Sequence, residues 1–471
     1  MMVTPCSRPW IKKIMEGMER YAIPGAAVGV IWRGQSYMRA YGVTDVSNPQ
    51  PVNIDTLFKI ASIGKTLTGT AAMRLVDQRR LVLDQRVDSY VPGFVAPAGA
   101  QSVTVRQLLN HTPGWLGDDH HDTGSDDGAL ARYVDEIRDL PQLTPVGQVF
   151  FYNNTALNCA GRVIETVTGL TYETAVTQLV FQPLGMSRSG YAATPDGLDN
   201  LALPHDVGSD GKAVVNPATF YRPRNTNPSG GQPVSSLKDL LTFAQFHLGN
   251  GRAADGQRVM SLASLRGMWS MPGPGGTLDV ELIGAGVSWQ LRPTVEGVVV
   301  VWHGGDLPGY RPYLMLVPAK QFAIVFVNNG DLGWRLRGEL FTRDWVLRRF
   351  VGLHNLPAPP RRLSASELAQ YEGHYAAENI TEDNQVVFIK FRLTARADGT
   401  LRQTFGSGDA ELEDDLGPGS ETLVAPAILT FYANDYVIDE STGSRSNFLR
   451  DDSGTVVWLR YSGRLYRRQT G

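Results

Sequence analysis

Cysteine is almost absent from this chain: two cysteines, Cys6 and Cys159, occur among 471 residues. Two thiols cannot build a disulfide framework or a four-cysteine metal cluster, so both classes of protein are excluded. Cys6 stands in a polar N-terminal stretch, whereas Cys159 falls on the apolar face of a predicted helix. We therefore expect Cys159 to be a buried structural thiol and expect no bond between the two.

The sequence also lacks a charge excess and a long apolar run. Lysine and arginine total 44 against 47 acidic residues, a formal net charge of −3, so no electrostatic feature favours nucleic-acid binding. The first apolar stretch, residues 26–32, is far shorter than the roughly 20 residues that span a bilayer. With no signal peptide visible, we expect no membrane span and either a cytoplasmic location or a secreted or periplasmic one with the signal already removed.

A chain of this length is expected to hold several domains, since a domain typically has about 100–200 residues. Residues 356–362 are rich in proline and form the predicted linker, because proline stiffens the chain and halts regular structure. We therefore predict one domain at 1–355 and a second at 363–471. In the second, short strands separated by turns recur as in an all-β antiparallel barrel.

The first predicted domain has an α+β pattern. Early strands are predicted at residues 26–32 and 36–43, and late strands at 298–302, 310–317 and 322–327, with helical segments between them. This order predicts one antiparallel sheet that is closed by both chain ends, flanked by helices and accompanied by a helical lobe. A helix is also expected at residues 56–78, with Asp55 or Ser62 as its cap, and a last one near 334–351.

A Ser-x-x-Lys motif at Ser62 and Lys65 is the first candidate for chemistry. Residues i and i+3 share one face of a helix, so the lysine amine would lie near the serine hydroxyl. A partly desolvated lysine can remove the proton that makes serine a poor nucleophile. The motif is short, and a chance copy exists at Ser235 and Lys238, so spacing alone decides nothing.

Two further motifs carry polar groups that such a site could use. Tyr152 precedes a helical run and could relay a proton, while Asn154 offers both a donor and an acceptor. His303, Gly304 and Gly305 end a predicted strand, where paired glycines permit close approach of a substrate backbone. Taken singly, these motifs equally describe a helix start and a turn, and Tyr432 with Asn434 repeats the tyrosine motif by chance.

The order and spacing of the three motifs together resemble the serine β-lactamase and penicillin-binding-protein superfamily. The match is to its class C-like branch, which includes Ser-x-x-Lys esterases and D-aminopeptidases. Four other segments add to the resemblance: residues 23–30, 108–114, 228–231 and 307–310. It covers roughly residues 10–350 and implies a β-lactamase/transpeptidase-like fold. The region after 363 is similar to the lipocalin-like barrel of some members.

The resemblance implies a role for each matching residue. Ser62 would be the acylated nucleophile, and Lys65 and Tyr152 would share the general-base work, with the proton acceptor left open between them. Asn154 would hold Lys65 and the acyl side chain. The strand end would supply binding contacts through His303, Gly304 and Gly305, and the backbone N–H groups of Ser62 and Asp306 would form the oxyanion hole.

One departure from the family bears on the substrate. Many β-lactamases and transpeptidases have Lys-Thr-Gly where this chain has His303-Gly304-Gly305, and histidine is largely neutral at pH 7. The loss of a permanent cation favours esters, or amides that lack that carboxylate, and the expected substrate is a small ester, an amide or a short peptide. The expected function is therefore a serine hydrolase of esterase or D-aminopeptidase type, with weak β-lactamase activity as an option.

The alternatives are a penicillin-recognising or ligand-binding protein with little turnover, and a DD-peptidase or β-lactamase proper. Residues 118–122, which read Asp-Asp-His-His-Asp, suggest a metal site, but adjacent ligands on a loop rarely point at one ion. We expect no metal and no cofactor. The expected partner is a small molecule, neither nucleic acid nor membrane is expected, and a homo-oligomer is left open.

Overall fold

The computed structural model describes residues 8–97, 103–405 and 426–469, so Cys6 lies outside the described residues. Residues up to about 351 form a mixed unit of sheet and helices, here called the α+β unit. Its strands are β1 (Gly25–Trp32), β2 (Gln35–Gly42), β3 (Leu57–Lys59), β4 (Ser189–Tyr191), β5 (His205–Val207), β6 (Ala213–Val215), β7 (Pro233–Ser236), β8 (Gly276–Leu278), β9 (Val280–Leu282), β10 (Gly284–Ala285), β11 (Gln290–Arg292), β12 (Val300–Gly304), β13 (Tyr313–Val317) and β14 (Phe322–Asn328).

Eleven α-helices occur in the described part of the chain, and the last precedes the barrel. They are α1 (Arg8–Arg20), α2 (Gly64–Asp77), α3 (Val105–Leu109), α4 (Ala129–Glu136), α5 (Asn154–Thr168), α6 (Tyr172–Val176), α7 (Gln182–Leu184), α8 (Leu237–Leu248), α9 (Leu262–Ser270), α10 (Gly333–Arg337) and α11 (Ala365–Leu368). None of the helices within the described ranges is long and apolar enough to cross a membrane.

The main sheet has seven strands in the order β10-β11-β12-β13-β14-β1-β2, and its registered pairs are antiparallel. The N-terminal strand β1 pairs with the late strand β14, as the sequence predicts. Side chains alternate between two faces, so Val325 joins the core beneath α8 while Ile324 joins the core beneath α1. Strand β2 is an edge strand and is correspondingly exposed.

Two predicted helices differ from the structure. The helix expected from residue 56 begins at Gly64, because residues 57–59 form β3 and Ala61 has a left-handed φ of +46°. Its N-cap is Ile63 and no side chain caps it, so the predicted cap at Asp55 or Ser62 is wrong. The helix expected over 334–351 is broken into shorter helical segments on either side of Asp344, whose φ is +50°.

The C-terminal part is a closed eight-stranded barrel, β15-β16-β17-β18-β19-β20-β21-β22, as the sequence predicts. Its strands are β15 (Gly373–Ile380), β16 (Val386–Ala395), β17 (Leu401–Phe405), β18 (Ala427–Ala433), β19 (Tyr436–Asp439), β20 (Arg445–Arg450), β21 (Val456–Tyr461) and β22 (Arg464–Arg468). Aromatic side chains, among them Tyr375, Phe391 and Phe448, fill its interior. The interior is thus a packed core, and the connections after β15, β19 and β21 contact the α+β unit.

Candidate active site

Ser62 lies in a short 3-10 turn, Ala61–Ile63, between β3 and α2. The left-handed backbone of Ala61 turns the chain sharply from strand to helix just before the serine. Gly230 packs against this turn so closely that a Cβ there would stand 2.3 Å from the carbonyl oxygen of Ala61. A glycine at 230 therefore lets the 228–231 segment lie directly on the serine turn.

Lys65 stands one turn after Ser62, and its Nζ donates to Ser62 Oγ at 3.1 Å. The same Nζ donates to the carbonyl oxygen of Ser229 and lies 4.7 Å from the ring centroid of Tyr152. The lysine side chain is fully buried. Burial lowers the pKa of Lys65 well below its usual value, and the nearby Arg464 cation lowers it further, while Asp118 acts in the opposite direction.

Tyr152 is held just before α5 by a ring stack with His111, whose centroid is 4.8 Å away. His111 Nδ1 in turn accepts from the backbone N–H of Asn153 at 3.0 Å, which fixes the loop. Burial raises the pKa of the Tyr152 phenol, whereas the Ser62 hydroxyl and the Arg464 guanidinium lower it. The balance keeps the phenol protonated at neutral pH.

Asn154 is the first residue of α5, and Asn153 caps that helix by accepting from the N–H of Ala156. The Asn154 Nδ2 donates to Asp118 Oδ1 at 2.7 Å. Its amide therefore contacts a carboxylate, and Lys65 is held instead by Ser62 and Ser229. Asn154 still lines the cavity beside Ser62.

His303 is the penultimate residue of β12 and is 1% exposed. The carbonyl oxygen of Gly304 lies 2.7 Å from its Nδ1, so the proton is placed on Nδ1 and Nε2 is left as an acceptor. Burial lowers the pKa of His303 to about 3, and the lysine at 65 adds to the shift. The imidazole is thus neutral and supplies no cation.

The two positions after His303 bring the strand end against the serine turn. A Cβ on Gly305 would stand 2.8 Å from the Cβ of Ala61, so a glycine is needed there. Asp306 turns its carboxylate to Arg337, at 2.9 Å, and to Arg311, at 3.7 Å. Ser62 and Asp306 line the same cavity, as the predicted oxyanion hole requires.

The cavity beside Ser62 has a volume of about 710 Å³, and both units of the chain line it. The α+β unit contributes Ser62, Tyr152, Asn154, His303, Gly304 and Asp306. The barrel contributes Asn379 and residues 381–383, after β15, together with Arg464 at the start of β22. The predicted site residues are therefore together, and the barrel forms part of the wall.

Sequence reasoning missed two charged residues that join the units beside Tyr152. Arg464 Nε donates to Asp118 Oδ2 at 2.9 Å, and the guanidinium lies 4.7 Å from the ring centroid of Tyr152. Asp118 lies in the acidic stretch 118–122, which suggested a metal site and not an ion pair. No sequence motif pointed to Arg464, because no motif connects a barrel turn to a distant serine.

A family model described as Beta-lactamase matches residues 10–346. The chain belongs to the β-lactamase family. Penicillin-binding protein 4 of Amycolatopsis lactamdurans is 32% identical over 374 residues, which cover 78% of this chain and 97% of that protein. Esterase EstB of Burkholderia gladioli is 32% identical over 259 residues, covering 48% of this chain and 66% of the esterase. These relatives support serine hydrolase activity in general.

A solved structure is similar in fold to this β-lactamase-family chain over the barrel as well. The crystal structure of SurE with D-Leu matches with a TM-score of 0.70 and 22% identity, covering 98% of this chain and 99% of SurE. At this identity the likeness shows the fold alone. The pairing of a β-lactamase-like unit with a C-terminal barrel is thus shared.

Other candidates from the sequence of this β-lactamase-family chain have different partners. Ser235 bonds Ser189 at 2.8 Å in a buried strand, and Lys238 is exposed, so the second Ser-x-x-Lys copy lies outside the cavity. In the stretch 118–122, His121 lies between Asp119 and Glu136 at 2.6 and 3.0 Å. No group that could hold a metal ion occurs within the described ranges, and Cys159 is buried as predicted.

Proposed function

We propose that the chain is a serine hydrolase that forms an acyl-enzyme on Ser62 and hydrolyses small carboxylic esters or amides. The observation that carries this proposal is the 3.1 Å contact between Lys65 Nζ and Ser62 Oγ at the wall of a cavity. A nucleophile needs a base within hydrogen-bond reach, and this contact has that length. The relationship to an esterase, EstB, supports an ester substrate.

In the acylation step, Lys65 is the general base. Its lowered pKa favours the neutral amine, whose lone pair accepts the Ser62 proton across the existing contact. Ser62 Oγ then bonds to the substrate carbonyl carbon, and the carbonyl oxygen takes up the negative charge. The backbone N–H groups of Ser62 and Asp306 stabilise this oxyanion, and a donor of this kind is worth about 2.7–4 kcal/mol.

Collapse of that intermediate expels the alcohol or amine, which needs a proton. Tyr152 is suited to deliver it, because its raised pKa keeps the phenol protonated and its ring lies against Lys65. The tyrosine then recovers a proton from the Lys65 ammonium. Deacylation repeats the sequence with water in place of the serine hydroxyl, which releases the acid and restores Ser62.

The charges of the cavity support a substrate without a carboxylate. His303 is neutral, so the strand end carries no cation. The arginines that line the cavity each have a carboxylate partner: Arg464 pairs with Asp118, Arg337 with Asp306, and Arg222 with Glu382. A neutral ester or amide requires none of these pairs to break, which favours esterase or D-aminopeptidase activity over β-lactam turnover.

Steady-state hydrolysis of p-nitrophenyl butyrate tests the proposal. Ser62→Ala is expected to abolish turnover, whereas Ser235→Ala, the serine of the second Ser-x-x-Lys copy, is the matched control and should retain it. Mass spectrometry of the wild type treated with a fluorophosphonate should place the adduct on Ser62. Equal turnover by the wild type and Ser62→Ala would refute the assignment.

The relationship to Penicillin-binding protein 4 supports a second candidate, a penicillin-recognising protein with little turnover. Nitrocefin and D-alanyl-p-nitroanilide separate the options. A stable adduct of nitrocefin on Ser62 without release would favour the second candidate, whereas rapid release would indicate a β-lactamase. Cleavage of the anilide would indicate a D-aminopeptidase, and ester hydrolysis alone an esterase.

A further inference from the structure

The turn between β21 and β22 of the barrel lies against the backbone and the Cβ of Tyr152. The backbone N–H of Tyr152 donates to the carbonyl oxygen of Gly463 at 2.7 Å. A Cβ on Gly463 would stand 3.2 Å from the Cβ of Tyr152, so the two segments are in van der Waals contact. The next residue, Arg464, therefore has its side chain fixed relative to the phenol.

Arg464 and Lys65 both lie over the phenol of Tyr152, each with its charged group 4.7 Å from the ring centroid. The guanidinium is held there by Asp118, which also accepts from Asn154 at the start of α5. The ion pair of Arg464 and Asp118 thus has its cation on the barrel and its anion on the α+β unit. Both charges lie next to Lys65 and Tyr152, the groups proposed to transfer the proton.

The other titratable groups around Lys65 and Tyr152 are few and mostly uncharged. Burial lowers the pKa of His111, His120 and His303, so these imidazoles are neutral at pH 7. Two other carboxylates of the α+β unit line the cavity: Asp306, which is bound by Arg337 and lies near Arg311, and Asp279, which accepts from Ser462 Oγ at 3.3 Å. Arg464 and Asp118 are therefore the charges best placed to act on Lys65, and they act with opposite sign.

We propose that Arg464 and Asp118 are positioning residues that set the pH range in which Lys65 serves as the base. The inference rests on the proposed function, because it concerns the same acylation step. The barrel cation disfavours protonation of the lysine, and the carboxylate of the α+β unit restrains that effect. The docked barrel therefore supplies the cation that helps to keep Lys65 in the unprotonated form that can act as a base.

The pH profile of kcat/KM for p-nitrophenyl butyrate, measured on the full-length chain, tests the inference. This ester carries no charge, so a change in the profile reports the protein groups. Arg464→Gln removes the cation and is expected to move the acid limb to higher pH. Asp118→Asn removes the anion and is expected to move the acid limb to lower pH, and the double variant should fall between them.

A purely structural pair would not produce shifts of opposite sign, so the direction is the decisive readout. Arg464→Lys keeps the charge and should restore an acid limb close to that of the wild type. The matched control is Arg450 with Asp435, a 2.7 Å pair on the barrel away from the cavity. Arg450→Gln and Asp435→Asn should leave the limb in place.

Each outcome separates the inference from the function on which it rests. Turnover that persists in Ser62→Ala refutes the proposed function. Turnover that depends on Ser62, with superimposable acid limbs in Arg464→Gln and Asp118→Asn, refutes only the positioning role. Equal shifts in Arg464→Gln and Arg464→Lys also refute it, since charge would then not be the cause. If Arg464→Gln fails to fold, Asp118→Asn alone tests the inference: it should move the acid limb of the kcat/KM profile to lower pH, and an unchanged acid limb would refute the positioning role.

Discussion

A single added methyl group on the barrel turn is expected to impair the site from the neighbouring unit. Gly463 has a φ of +75° and rests on Tyr152 and Leu278. In Gly463→Ala the new Cβ would stand 2.7 Å from Leu278 Cδ1 and 3.2 Å from Tyr152 Cβ. The leucine methyl lies at the end of a flexible side chain and can move, whereas Tyr152 Cβ is fixed to the backbone.

The expected fall in the free energy of unfolding of Gly463→Ala has two parts. An alanine in the left-handed region is destabilised by about 1–2 kcal/mol relative to its favoured conformation. Extra volume in a packed contact typically adds about 1–3 kcal/mol. We therefore expect the free energy of unfolding to fall by about 2–5 kcal/mol. Because displacement of a reacting group by about 1 Å can reduce the rate roughly 10²-fold, kcat/KM should fall at least about tenfold.

Gly454→Ala is the matched control for this prediction. Gly454 also lies in a barrel turn with a φ of +83°, but a Cβ there meets nothing within 4 Å. It shares the backbone strain and lacks the contact, so it should lose about 1–2 kcal/mol with kcat/KM unchanged. Urea denaturation and ester kinetics on both variants measure the two quantities. Equal losses of stability with unchanged kcat/KM in both would refute the reasoning.

Two further predictions concern α5 and its preceding loop. Tyr152→Phe removes the proposed proton donor, so kcat/KM for D-alanyl-p-nitroanilide should fall by about 10²–10⁴-fold. The fall should be smaller for p-nitrophenyl butyrate, because its phenolate leaves without a proton. Identical losses for the two substrates would contradict the role of Tyr152 in protonating the leaving group. Asn153→Ala removes a buried cap that also donates to the carbonyl oxygen of Trp115 at 2.7 Å. It should lower the free energy of unfolding by up to about 2 kcal/mol, measured in urea, and by more than Thr171→Ala at the exposed cap of α6; a smaller loss would show that burial of the cap is unimportant.

The parts of the fold that the sequence predicts are those where apolar periodicity acts alone. Strands β1, β2, β13 and β14 follow uninterrupted or alternating apolar patterns, so their positions are predicted to within about three residues. Strand β3, in contrast, has three residues, and its pairing with a distant strand, β7, is what defines it. Such pairings depend on tertiary contacts that no local pattern contains.

The site divides in the same way. Ser62 and Lys65 are related by one helical turn, and Tyr152 and His303 by their order along the chain, and the resemblance of this set to a known family singles out all four. The resemblance predicts that the Asn154 amide binds Lys65, but its hydrogen-bond partner is Asp118, because the orientation of the side chains brings these two together. Arg464 enters from a barrel turn, where only the docked structure brings it to the phenol.

The site combines few charges with strong dependence on the barrel. Burial favours the neutral forms of Lys65, His111 and His303, so the groups around Ser62 present almost no net charge of their own. In such surroundings the sign of a nearby fixed charge bears on the protonation of Lys65: the Arg464 cation lowers its pKa and the Asp118 carboxylate raises it. Arg464 and Asp118 are that pair, and each unit supplies one charge. Undocking the barrel would leave Asp118 without its cation, favour protonation of Lys65 and so remove the proposed base, and we therefore expect activity to depend on the contact between the two units.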